Sequence, residues 1–176
     1  APSTGSARVL QLDPVHHAAE LRRRVAILFS NPDAQIIMPT VAEDVAFSLR
    51  GQTMSRIERA DRVTAALARF GLAELGDRSA HDLSGGQKQL LALCGAFVRE
   101  PDLVIADEPT AYLDGRNARI VADHLLADTG HLLFLVTHDL ALAERCEVAV
   151  HMAGGRVVAV GEARDIVREY ATSLGC

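Results

Sequence analysis

Apolar residues fall in short continuous runs along this chain, separated by stretches in which they recur every three or four positions. The runs have strand length and are rich in β-branched residues: Ala7–Leu10, Val25–Phe29, Leu103–Ala106, Leu132–Val136 and Glu147–His151. They predict strands. The segment "HMAGGRVVAVG" predicts a hairpin turning at Gly154–Gly155, because paired glycines supply the positive φ of a tight hairpin turn. Helical patterns lie between the runs. Thr40-x-x-Glu43 and Ser55-x-x-Glu58 read as capping boxes, and the second opens the amphipathic stretch "SRIERADRVTAALARFGL". Ser84-x-x-Gln87 is a third box, opening "GQKQLLALCGAFVRE", with Pro101 as the stop.

Continuous apolar strands alternating with helices predict an α/β domain with a largely parallel, buried sheet. Residues 43–84 read as purely helical, a subdomain inserted between strands. No internal repeat, low-complexity segment or long linker interrupts the pattern.

Composition narrows the function classes. The chain has 176 residues, 49% of them hydrophobic, enough for a core. The net charge of −5 argues against a nucleic-acid binder with a basic face. No apolar run approaches the roughly 18 residues that span a bilayer, and "APSTGSARVL" has neither the basic nor the apolar part of a signal peptide. A soluble or peripheral protein is expected. Cys94, Cys146 and Cys176 lack metal-type spacing and read as incidental thiols of a reducing compartment. His16–His17 read as a solvated helix start, and Arg22–Arg24 as an exposed helix end.

Three short motifs carry candidate chemistry. In "LVIADEPTAYLD" a strand ends in Asp107 and Glu108. Ligands of open α/β sheets bind beyond the carboxyl ends of strands, where Asp107 can hold Mg²⁺ and Glu108 can polarise an attacking water. An ordinary acidic turn has the same pattern. In "LFLVTHD" a strand runs into His138, whose imidazole can bond near a γ-phosphate or simply cap a turn. In "LSGGQKQ", Gly85 and Gly86 admit close backbone approach by an anion to a helix start carrying roughly half a positive charge. The capping box explains that helix start without any ligand. The order of the three is what decides: "LSGGQ", a strand with Asp-Glu-Pro about twenty residues later, and a strand with Thr-His-Asp about thirty after that.

In this order the motifs resemble the ATP-binding cassette (ABC) of ABC transporters. "LSGGQKQ" is similar to the family's signature, "LVIADEP" to its Walker B motif, "AYLD" to its D-loop ending in Asp114, and "LVTHD" to its switch-histidine region. "RRRVAILFSNPDAQIIMPTVAEDVAFSL" resembles the stretch around the Q-loop, in the form found in energy-coupling-factor and cobalt or nickel importer ATPases. The resemblance covers essentially all 176 residues, and the "GGRVVAVG" hairpin fits it too.

The departures are as informative. G-x-x-x-x-G-K-[ST], the Walker A motif, occurs nowhere, and Lys88 is the only lysine. Ser30 stands where the family's Q-loop glutamine falls, and Gln35 is a separate position of the pattern. A serine hydroxyl is too short for the glutamine's reach. Tyr112 replaces a small D-loop residue and is expected to crowd a dimer interface or pack into it.

The resemblance implies the following. Residues 1–176 are the C-terminal portion of one nucleotide-binding domain, an ABC-type P-loop NTPase fold lacking its first strands and P-loop. The helical subdomain covers about 43–84, ending at the signature, and the remainder belongs to a RecA-like core. Loss of the P-loop strand would expose apolar surface. ATP and Mg²⁺ are the cofactors. Glu108 and His138 are catalytic, Asp107 holds the metal, and Ser84, Gly85, Gly86, Gln87 and Asp114 contact nucleotide. The implied partners are a second ABC ATPase subunit and an integral membrane energy-coupling or permease subunit, on the cytoplasmic face of the cell membrane. Losing one aligned donor costs about 10²–10³ in rate, so without a phosphate cradle the chain alone is not expected to hydrolyse ATP. A piece of a complete cassette, a natural truncation, and a non-catalytic cassette lending its signature to a partner's site all remain open. A soluble ABC ATPase of repair or translation usually carries long inserts or paired cassettes, and neither is present.

Overall fold

The apolar run Val25–Leu28 forms strand β1, and Leu103–Asp107 forms β2 beside it, in parallel. The register pairs Val25 with Leu103 and Leu28 with Ala106, so both strands end at the same edge of the sheet. Strand β3, Leu132–Val136, completes a three-stranded sheet in the order β1-β2-β3. The structure is a computed structural model that describes residues 4–127 and 130–173; Cys176 lies outside them. The chain divides into two units, Ala1–Phe134 and Leu135–Cys176.

In the first unit, helix α1 (Ala18–Arg24) leads directly into β1, and a short 3₁₀ turn, Pro32–Ala34, follows it. Helices α2 (Val41–Ser48) and α3 (Arg56–Arg69) come next, then 3₁₀ turns at Ala73–Leu75 and Ala80–Asp82, then α4 (Gly85–Phe97). Among the described residues, 43–84 contribute no sheet strand. All three expected capping boxes form. The Thr40, Ser55 and Ser84 hydroxyls each accept from the backbone three residues on, and Glu43, Glu58 and Gln87 each bond back to the cap's N–H.

Helix α4 is the hub of this unit. Leu91, Leu93 and Cys94 are fully buried, and α4 packs against α2, α3 and β1. Each fully buried Leu contributes about 1.5–3 kcal/mol. At its end Phe97 meets Phe70, with ring centroids 5.9 Å apart, and Phe70 meets His124 at 4.5 Å, on helix α5 (Gly115–Leu126). The Arg69 guanidinium lies over both phenylalanine rings, 5.3 and 5.5 Å from their centroids.

The second unit contains α6 (Leu140–Ala143), a hairpin of β4 (Val148–Ala153) and β5 (Arg156–Glu162), and α7 (Ala163–Ser173). Gly154 and Gly155 have φ of +57° and +73°, the left-handed pair the hairpin requires. Helix α7 buries Ala163, Ile166 and Val167, and Tyr170 packs edge-on against His151 at 4.8 Å. Val148, Val150, Met152 and Val160 on the hairpin stay at least half exposed.

Three expectations change. Ala7–Leu10 is not a strand. Val9 and Leu12 exchange backbone bonds across Leu10 and Gln11, both at positive φ, so the chain reverses before a strand can extend. Helix α4 stops at Phe97, a turn before Pro101. The residue preceding a proline is pushed out of the α region, and here Glu100 adopts φ +53°. The parallel sheet is buried on one face only: Ala26, Leu28, Val104 and Ala106 are enclosed, while Ile27, Leu132, Phe134 and Val136 are 46–62% exposed.

Candidate functional site

The start of α4 is the first component. Ser84 adopts extended backbone, and its hydroxyl accepts from Gln87 N–H at 3.3 Å. The Gln87 carboxamide returns the bond to Ser84 N–H at 2.9 Å. The first helical bond, Lys88 N–H to Ser84 C=O, spans 2.8 Å. Gly85 and Gly86 therefore lie before the helical ladder, with their N–H groups at the positive end of the helix. Gly85 has open space where a side chain would be, and both it and Ser84 are exposed.

Gly86 is buried for a specific reason. A Cβ there would meet the Asn117 carboxamide at 2.5–2.8 Å. Asn117 stands in the first turn of α5, whose N-cap is Asp114. Asp114 accepts from Arg116 N–H (3.0 Å), Asn117 N–H (2.9 Å) and the Asn117 side-chain N–H (2.8 Å). The bond from Asn117 N–H, above all, holds the Asp114 carboxyl below its usual range. The structure thus joins Gly86 to Asp114, far apart in sequence yet one side-chain layer apart in space, through Asn117, a residue that sequence reasoning passed over. The signal for Asn117 was present as Asp-x-x-Asn at a helix start.

The second component is the carboxyl edge of the sheet. Asp107 ends β2 and is exposed. Glu108 follows with φ +47°, and Ala111 N–H bonds to its carbonyl at 3.1 Å. Tyr112, at φ +64°, is 96% exposed. Two bulky residues in left-handed backbone within one loop are uncommon, and such strain clusters at functional positions. The parallel register sets Ser30 two residues beyond Leu28 and Glu108 two residues beyond Ala106, on adjacent strands at one edge. An exposed carboxylate at a strand end suits Mg²⁺, which takes one or two carboxylates together with phosphate and water oxygens; Asp107 fits that role.

Beside Ser30 the Gln35 side chain acts as a clamp. It accepts from Phe29 N–H and donates to Ile27 C=O, both at 2.9 Å, closing the end of β1. Buried Asp44 accepts from Ile37 and Met38 N–H at 2.8 and 3.0 Å. Lys88 is committed to Asp33, with Nζ 2.7 Å from Oδ1. A cavity of about 500 Å³ opens nearby, lined among others by Ile27, Gln35, Asp44, Ser48, Ala92 and Arg99.

His138 belongs to the second unit, between β3 and α6. Its neighbour Asp139 caps α6, accepting from Leu142 N–H at 3.1 Å while its own N–H bonds to Thr137 Oγ1 at 3.0 Å. No helix among the described residues is long and apolar enough to cross a membrane.

The chain is similar to known ATP-binding proteins of transporters. The ABC transporter family model matches residues 1–111. A putative ABC transporter ATP-binding protein of Methanopyrus kandleri, MK0182, is 42% identical over 175 residues, covering 96% of this chain and 64% of the relative. The chain thus spans somewhat less than two thirds of that relative's length. Among solved structures, cbiO1 of Clostridium perfringens, part of the ABC transporter complex cbiONQ, superimposes with a TM-score of 0.85 at 30% identity, covering 97% of this chain and 71% of that one. The ATP-binding cassette MJ0796, a dimer in a post-hydrolysis state bound to ADP and Pi, matches with a TM-score of 0.77 at 26% identity, covering 93% and 75%.

Proposed function

We propose, starting from the fact that this chain belongs to the ABC transporter family of ATP-binding proteins, that it serves an importer of the energy-coupling-factor or cobalt/nickel type, coupling ATP hydrolysis to solute uptake. The observation that carries this reading is the start of α4. Gly86 lets it close onto Asn117 and Asp114, while Ser84 and Gly85 are exposed at the positive end of the helix.

In this reading Ser84, Gly85, Gly86, Gln87 and Asp114 meet the nucleotide of an opposing cassette. Asp107, Glu108 and His138 serve the chain's own nucleotide. Asp107 would hold Mg²⁺, which when bound would supply charge neutralisation for the phosphates. Glu108 polarises the attacking water, and His138 bonds near the γ-phosphate. The domain reading follows the same line: 43–84 is the helical subdomain and the remainder is RecA-like core. The Q-loop region and helical subdomain dock a helix of an integral membrane partner on the cytoplasmic face. The largely apolar cavity beside Gln35 and Ser48 supports that role.

This chain alone does not turn over ATP. It contains no Walker A motif, and Ser30 replaces the Q-loop glutamine. Calorimetric titration of the 176-residue chain with Mg-ATP tests this. No heat of binding is expected at millimolar nucleotide. Micromolar binding abolished by Asp107→Asn would overturn it.

A second reading is a non-catalytic cassette that completes a partner's site with its signature, which the exposed Ser84 and Gly85 support. In a mixed assay with a cassette that has a P-loop, Ser84→Arg is expected to reduce the partner's turnover. Unchanged turnover would remove the donor role.

A further inference from the structure

The loop after β1 is pinned along its whole length. Asn31 Oδ1 accepts from Asp33 N–H at 3.0 Å. Gln35 clamps the end of β1, and Asp44 holds Ile37 and Met38 N–H. The remaining tether leaves the loop altogether: Lys88 Nζ donates to Asp33 Oδ1 at 2.7 Å, across 55 residues of sequence.

Lys88 occupies an unfavourable place by itself. It stands in the first turn of α4, where the backbone already carries partial positive charge. Its side chain is only 17% exposed, whereas that of Asp33 is 58% exposed. An ordinary surface ion pair holds little, because both side chains are mobile and screened. Here the lysine stem is enclosed and the carboxylate is fixed by the 3₁₀ turn Pro32–Ala34. Removing Asp33 would leave an enclosed cation at the positive end of a helix.

We propose that Lys88 and Asp33 are a positioning pair that makes the loop after β1 and the Ser84–Gln87 start of α4 one mechanical unit. This rests on the reading that the start of α4 meets nucleotide. Neither Lys88 nor Asp33 touches the reacting atoms.

Amide hydrogen exchange on the full chain tests the pair without nucleotide. The reporters are Gln35 and Ile36 N–H, bonded to Pro32 C=O at 2.9 and 3.2 Å, and Gln87 and Lys88 N–H at the other end. Asp33→Asn and Lys88→Met are each expected to speed exchange at both ends by about fivefold. Lys88→Arg, which keeps the charge, is expected to stay near the parent. Loosening confined to the loop in Asp33→Asn, with Gln87 and Lys88 unchanged, would overturn the proposal, as would no change at either end. Turnover with a P-loop-bearing partner is read separately. If exchange responds at both ends while Asp33→Asn leaves turnover unchanged, the coupling stands and the nucleotide reading of α4 falls.

Discussion

Gly86 and the Asn117 carboxamide share a space that admits no side chain at position 86: a Cβ built there lies 2.5 Å from Asn117 Cγ. Asn117 cannot simply swing away, because its amide is bonded to Asp114 Oδ2 at 2.8 Å. Gly86→Ala is therefore expected to destabilise by about 1–2 kcal/mol, despite alanine's better helix propensity. In an Asn117→Ala background the same change should be neutral or stabilising. A double-mutant cycle by chemical denaturation checks this, with a coupling of about 1 kcal/mol or more expected. Additive effects would show that the two residues do not compete for space.

Glu108 sits just past β2 with the backbone at φ +47°. Glu108→Gln keeps the shape and removes the charge, so it isolates the base from the backbone. In a parent cassette that carries its own P-loop ahead of these residues, steady-state turnover is expected to fall by at least about 10²-fold, while ATP-driven dimers accumulate on size exclusion. Near-normal turnover would remove Glu108 from the water-polarising role.

Asp44 is 8% exposed and holds two backbone donors, Ile37 and Met38 N–H. Asp44→Ala strands both, and each unsatisfied buried group costs about 1–3 kcal/mol. A loss near 3 kcal/mol is expected from urea denaturation. A change under about 0.5 kcal/mol, the range of an ordinary surface substitution, would mean that water replaces the carboxylate.

Cys94 is fully buried in α4, and burial pushes its thiol up to about 12 from an ordinary value of 9.0. In the native protein at pH 8 it should resist a disulfide reagent that labels it promptly in denaturant. The folded form favours the protonated thiol. Its contribution to stability is thus complete below the unfolded value near 9.0 and declines as pH rises from there towards 12. Labelling of Cys94 in the native state as fast as in the unfolded state would contradict this burial.

Local elements were legible because their causes are local. The three capping boxes needed only a hydroxyl and a carboxyl or amide three residues apart, and all three formed. The glycine pair at 154–155 turned the hairpin for the same kind of reason. Strand limits at Leu103 and Leu132 followed from apolar runs bounded by polar residues. Ala7–Leu10 carried a strand-like pattern, but backbone reversal at Leu10 and Gln11 pairs Val9 with Leu12 instead of extending a strand.

The sequence by itself determined the class of fold, the family resemblance and the order of the motifs, since these are written in periodicity and short-range spacing. Only the tertiary structure decided what stands against what. Asn117 behind Gly86, Asp33 on Lys88, and Gln35 across the end of β1 are pairs set by helix packing and strand register. No propensity marks them, because the energy of each contact exists only once the chain has brought distant residues within reach.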